Sequence, residues 1–152
     1  MPTLTFQRAM PVSAEALFAW HAGPGAFARL TPPWERLELL DATPRWAEGT
    51  RWTFRDWFSG PFSRKWTVEH HGIVEGRQFC YRQVDGPFRR WDHCLQFRPD
   101  GANSILENRI EYEMPFGCGL FRGSIEDRIR KMFTWRHAVT HEDLTRHAQY
   151  ED

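Results

Sequence analysis

The chain has 152 residues, with Lys+Arg and Asp+Glu at 20 each and a formal net charge of zero. That length makes one domain with a core of its own, and the neutral balance argues against a nucleic-acid binder, whose domain is usually strongly basic. A hydrophobic share of 41% and a charged share of 26% exclude a disordered chain, and no run of about 18 apolar residues is present to span a membrane.

Residues 3–12 alternate, with Leu4, Phe6, Arg8 and Met10 on one side, which predicts a half-buried strand. Residues 1–10 lack the basic and apolar regions of a signal peptide. Ser13 stands where an N-cap belongs, ahead of a helix over 14–21 that stops at Gly23-Pro24-Gly25. A second short helix over 26–30 ends at Thr31-Pro32-Pro33. Strand signals then follow one another. Residues 36–40 are short; 50–58 carry Trp52, Phe54 and Phe58 in phase; 65–71 carry Trp66, Val68 and His70. Residues 79–84 place Phe79, Tyr81 and Gln83 together, and 89–97 place Trp91, His93, Leu95 and Phe97 together. Residues 105–114 set Leu106, Asn108, Ile110, Tyr112 and Met114 against Glu107, Arg109, Glu111 and Glu113. Turns such as Gly60-Pro61, Asp85-Gly86-Pro87 and Pro99-Asp100-Gly101 are short enough for an antiparallel meander.

Residues 115–123 read as a loop that can form a mouth or gate, since it mixes glycines with Phe116, Leu120 and Phe121. From 124 to about 149 the pattern turns helical, and at ~100° per residue Ile125, Ile129, Met132, Phe133 and Val139 share one face. The order predicts an α+β helix-grip fold: a curved seven-stranded antiparallel sheet, two short helices after the first strand, and a long C-terminal helix over the sheet. With 8 Trp and 12 Phe, the chain has rings enough to line a cavity between sheet and helix or to fill it.

Arg136 falls at the centre of the apolar face of the last helix. A guanidinium there must be paired. It is either an anchor for a ligand carboxylate or other acceptor, or half of an ion pair with Asp56 or Asp143. His93 and His70 are in phase with apolar neighbours, and with Asn108 and Gln83 they can converge as the few polar groups of an apolar site. The alternative for both histidines is a structurally satisfied core position. Trp66, Trp91, Tyr112, Met132 and Phe133 complete the candidate ligand-binding set, and His93 is the candidate proton-transfer group. His137 and His141 are spaced for a metal on a helix, but no third ligand is apparent and the pair reads as solvated surface, so no metal site is assigned. Cys80, Cys94 and Cys118 are odd in number and lack a CxxC pair, which reads as reduced thiols in a cytoplasmic protein. No GxSxG occurs, and the 42–49 turn has one Gly beside Trp46, unlike a phosphate-cradling loop. No cofactor is assigned.

Several stretches carry a resemblance. They are Leu30-Thr31-Pro32-Pro33-Trp34-Glu35, then Gly86-Pro87-Phe88 with Trp91 and His93, then Tyr112 with Pro115, and last Met132-Phe133-Thr134-Trp135-Arg136-His137. In this order they resemble an uncharacterised bacterial branch of the START-like (SRPBCC) superfamily, grouped with polyketide cyclase/dehydrase, CoxG-like and birch-pollen-allergen proteins. The resemblance covers residues 1–152 as one ligand-binding domain and implies the helix-grip fold and a pocket. It implies binding, carriage or sensing of a small, mostly apolar ligand such as a lipid, polyketide or aromatic metabolite. Two other readings stay open: a cyclase/dehydratase-type enzyme using His93, or a non-catalytic partner of an NAD-dependent or carbon-monoxide-dehydrogenase-type system. Branch members are sometimes joined to an epimerase-like NAD domain; this chain has no GxGxxG. The branch's acidic positions two residues after Phe79 and in the middle of the last strand are Tyr81 and Asn108 here, which leaves no carboxylate to carry over.

Overall fold

The computed structural model describes residues 2–23, 25–40, 47–59 and 61–150, the side chains of 58, 59 and 147–150 excepted. The expected turn residues Pro24 and Gly60, the 42–46 stretch and the phase of the Phe58 side chain lie outside the described residues.

Strand β1 (Thr3–Met10) leads into α1 (Ala14–Ala22) and α2 (Ala26–Arg29). The Ser13 hydroxyl accepts from the Ala16 N–H at 3.1 Å, which satisfies one of the donors a helix start leaves open. Strands β2 (Leu37–Leu39), β3 (Arg51–Ser59), β4 (Phe62–Val74), β5 (Gln78–Asp85), β6 (Arg90–Asp100) and β7 (Asn103–Glu113) follow, and α3 (Arg122–Tyr150) ends the chain after a short 3-10 turn at Gly119–Phe121. The seven strands lie in the order β1-β7-β6-β5-β4-β3-β2, and every neighbouring pair is antiparallel. Consecutive hairpins build the meander from β2 to β7, and β1 closes on β7 with Thr3 opposite Glu111 and Met10 opposite Ser104. This is the α+β helix-grip arrangement that the element order predicted.

Alternation decides which side chains meet α3. On β6, Trp91, His93, Leu95 and Phe97 are buried; on β7, Leu106, Asn108, Ile110 and Tyr112 are buried. Two apolar cores result. One gathers Met10, Leu17, Phe79, Leu95, Phe97, Leu106 and Leu144. The other gathers Leu4, Trp91, Ile110, Tyr112, Ile129 and Phe133. His93, Asn108 and His137 lie between them along β6, β7 and α3, so a polar belt separates two apolar halves.

The segment after α2 is strapped onto α3. Arg29 pairs with Asp143 at 2.8 Å, the Leu30 carbonyl accepts from Arg136 Nε at 2.9 Å, and Glu35 pairs with Arg128 at 2.5 Å. Trp34 adds an edge contact to Trp135, with ring centres 5.9 Å apart.

Two expectations are corrected here. Cys80 and Cys94 are joined in a disulfide, with their Cα atoms 4.0 Å apart. The β5–β6 register sets them directly opposite each other, which spacing along the chain does not reveal. Cys118 is the free thiol among the described residues. His137 is not solvated surface but buried. The buried residues of α3 are Ile129, Phe133, His137, Val139, Thr140 and Leu144; Thr140 and Leu144 turn the centre of the stripe toward His137, away from the half-buried Met132.

Candidate functional site

The belt is a chain of hydrogen bonds whose direction can be worked out. His93 Nε2 lies 2.7 Å from Asn108 Oδ1. An amide oxygen only accepts, so His93 carries its proton on Nε2. Asn108 Nδ2 lies 2.7 Å from His137 Nε2; the amide donates, so that nitrogen is bare and His137 is protonated on Nδ1. Burial pulls His93 down to about 3 and His137 down to about 4, so both rings are neutral near pH 7. His93 Nδ1 is then an acceptor and takes the Tyr81 hydroxyl proton in a hydrogen bond. Burial pushes the Tyr81 hydroxyl above its ordinary pKa, and the adjoining Arg136 guanidinium offsets part of that shift. The donors therefore point one way, from Arg136 through Tyr81, His93 and Asn108 to His137.

Arg136 stands at the charged end. Its stem is half-buried and its guanidinium lies 5.1 Å from the centre of the Phe133 ring. Burial lowers its pKa, and Tyr81 and Glu35 oppose that shift. Neither expected carboxylate pairs with it: Asp143 is taken by Arg29, and Asp56 lies 3.7 Å from Arg128. Among the described residues no carboxylate forms an ion pair with Arg136, and Nε donates to the Leu30 carbonyl instead. His21, buried in α1 with Nδ1 3.0 Å from the Leu17 carbonyl, adds a third imidazole that burial pulls down to about 4.

The other expected residues divide. Trp66, Trp91, Tyr112 and Phe133 surround one end of the belt. Trp66 and Trp91 meet edge-on at 5.3 Å, and Phe133 stacks on Phe6 at 5.1 Å while its edge faces His93 at the same distance. Met132 is half-buried beside Phe133. Tyr112 donates its hydroxyl to Glu126 on α3. His70 is buried on β4 with Nδ1 3.3 Å from the Thr50 carbonyl and its ring 4.7 Å from Trp52. Gln83 is not open to a ligand: its Nε2 donates to the Phe88 carbonyl at 2.5 Å and its Oε1 accepts the Phe88 N–H at 3.1 Å. Tyr81, His137 and His21 are the belt residues missing from the sequence-based set. Tyr81 was in phase with Phe79, so its position was legible and its role was not.

Beneath α3 the interior is occupied by these rings. Open clefts lie at the surface. One of about 730 Å³ is lined by Arg64, Gly86, Phe88, Arg89, Phe116 and Cys118 among others. A second of about 390 Å³ lies between Trp34, Trp57, Arg128 and Lys131. In this belt the Arg136 guanidinium is the group with donors to offer an acceptor, since Tyr81 gives its one proton to His93. His93 has both ring nitrogens bonded to protein groups, so a proton exchanged with a ligand runs through the Tyr81 hydroxyl.

No protein-family model and no curated protein matches the sequence. Solved structures do match. TTHA0849 from Thermus thermophilus superposes with a TM-score of 0.73 at 17% identity, over 95% of this chain and 97% of that one. Norcoclaurine synthase from Thalictrum flavum, in complex with dopamine and hydroxybenzaldehyde, gives 0.69 at 14% identity over 96% and 87%. A nucleoside-diphosphate sugar epimerase from Corynebacterium glutamicum gives 0.66 at 25% identity; 93% of this chain matches 29% of that chain. With these neighbours and this topology, the chain carries the helix-grip fold that they share.

Proposed function

We propose that the protein binds a small, mostly apolar ligand between the sheet and α3, with one anionic or acceptor group of the ligand held by Arg136. The observation that carries this reading is the Arg136 guanidinium: it loses hydration beneath the helix, and no carboxylate among the described residues forms an ion pair with it. A planar donor fork in that setting suits a carboxylate or enolate oxygen. Norcoclaurine synthase holds two aromatic, oxygen-bearing molecules on the same fold, which supports an aromatic ligand. Uptake requires the rings around Phe133 to move aside.

Calorimetric titration with 2-naphthoate, an apolar ring system with one carboxylate, tests the proposal. The wild type is expected to bind, and Arg136→Met is expected to weaken binding tenfold or more, about one charge-assisted hydrogen bond, with a melting temperature close to the wild type's. A fall in melting temperature with affinity unaltered assigns Arg136 to strapping Leu30 and removes the anchor.

A second reading is that the domain works beside an NAD-dependent sugar-nucleotide enzyme. It is supported by the epimerase match, in which this fold fills 29% of a longer chain. Affinity capture from cell extract, with Phe116 and Leu120 (95% and 94% exposed) intact or replaced by Ser, is expected to retain an NAD-binding protein only in the first case. Capture of none removes this reading.

A further inference from the structure

Two buried indoles have no acceptor. The Nε1 atoms of Trp66 and Trp91 are both shielded from solvent without a hydrogen-bond partner among the described residues. Buried polar groups are nearly always bonded, and each exception calls for a cause. Four such atoms occur among the described residues, the others on Asp56 and Ser104, and these two are neighbours, with ring centres 5.3 Å apart on β4 and β6. The Trp91 side of the pair is deep, at 7% exposure.

What covers them is one turn. Phe88 lies against Trp66 at 5.7 Å, Trp91 at 4.8 Å and Tyr112 at 5.9 Å. Gly86 lies so close to Trp66 that a Cβ there would come within 2.7 Å of Cδ1, the carbon next to Nε1. On its other side the same turn lines the open cleft of about 730 Å³, between Arg64 and Arg89. The turn is tied at its two ends, by Asp85 opposite Thr67 on β4 and by the Arg89 N–H to the Glu113 carbonyl at 3.0 Å. Pairing of β5 with β6 stops at Arg82 and Asp92. Beyond that point, the Gln83 amide bonds to the Phe88 backbone and Arg64 donates to the Gly86 carbonyl at 2.5 Å.

We infer that the Trp66 and Trp91 indole N–H groups form a binding subsite for the carbonyl or ether oxygen of an aromatic ligand, reached from the outer cleft when Phe88 and its turn swing outward. The ligand's ring replaces Phe88 against Trp66, Trp91 and Tyr112, and its oxygen accepts from the indoles. This rests on the reading of the interior as a ligand site, but it does not involve Arg136.

The test compares 2-acetylnaphthalene with 2-ethylnaphthalene, which differ by a carbonyl group in place of a methylene group. Indole N–H signals are followed by NMR on the wild-type protein, with the Trp66 signal identified by its proximity to Gly86. The ketone is expected to bind about two- to tenfold more tightly, the range of one net hydrogen bond, and to move the Trp66 and Trp91 N–H signals downfield; the hydrocarbon is expected not to. Trp66→Phe and Trp91→Phe, which keep a ring and lose the donor, are expected to abolish the preference. Equal affinity for the two compounds, or no downfield shift with the ketone, overturns the inference. The wild-type titration decides this even if a Trp variant does not fold. If 2-naphthoate binds through Arg136 while the ketone leaves the indoles unmoved, the subsite alone is wrong. If the ketone moves the indoles and 2-naphthoate ignores Arg136, the anchor alone is wrong.

Discussion

Asn108 is the joint of the polar belt, because its oxygen and nitrogen each hold one histidine. Asn108→Ala leaves a buried His93 N–H and a buried His137 nitrogen unpaired, at about 1–3 kcal/mol each. Urea unfolding is expected to show a loss of about 2–5 kcal/mol, far above that of an exposed Asn; a loss below about 0.5 kcal/mol would mean that the belt does not hold the two histidines. At this scale the sequence told which way residues point. Period-two alternation placed His93 and Asn108 inward and Arg8 at an awkward inward-phase position, and Arg8 is in fact exposed at the edge strand. It could not tell what an inward residue touches. Gln83 faces inward as expected, yet its amide closes on Phe88. The partner of Arg136 is a backbone carbonyl over 100 positions away, a kind of group every residue carries and no pattern marks.

The elements were legible because each has its own period and punctuation. Ser13 starts α1, and the buried stripe of α3 runs from Ile129 to Leu144. Pairing extended several strands beyond their apolar alternation: β4 runs Phe62–Val74, against an expected 65–71, since backbone bonds to β3 and β5 continue where side-chain alternation fades. The β5–β6 hairpin carries a feature that belongs to the pair of strands. Cys80 and Cys94 close a loop with a separation of 14 residues, for which loop-closure entropy gives about 3 kcal/mol. The Cys80→Ser, Cys94→Ser double variant is expected to lose about 2–3 kcal/mol of stability. A reducing agent is expected to lower the wild-type melting temperature and leave the variant's unchanged. Equal melting with and without reductant would exclude the bond.

For the whole molecule, three imidazoles held neutral around Arg136 make stability depend on pH. Burial puts His93 at about 3 and His21 and His137 at about 4, against about 6.5 in an unfolded chain. The unfolded state thus takes up protons first as pH falls. Stability from these groups is present above about pH 6.5 and drains away from there down to about pH 4 for His21 and His137 and about pH 3 for His93, at roughly 1.4 kcal/mol per pH unit for each histidine. Urea midpoints from pH 8 to pH 4.5 are expected to stay level and then fall below about pH 6.5. His21→Gln is expected to reduce the slope by about one third; an unchanged slope would remove His21 from the set. The paired carboxylates Glu69, Glu126 and Asp143, lowered by their arginine partners or by Tyr112, add their losses at lower pH.

Local physics determined much of this protein from the sequence alone. Alternation, turn residues and one long amphipathic run set the element order, the inward faces and the helix-grip arrangement, because backbone period and side-chain hydrophobicity act over a few neighbouring residues. Only the tertiary structure decided the rest. Sheet curvature brought β4, β6, β7 and α3 together, the β5–β6 register joined Cys80 to Cys94, and the rotation of α3 buried His137 and gave Arg136 its partners. Those contacts span tens of residues and depend on register and helix rotation, which a hydrophobic pattern leaves open by about one residue, and one residue is the difference between a histidine in water and a histidine in the belt.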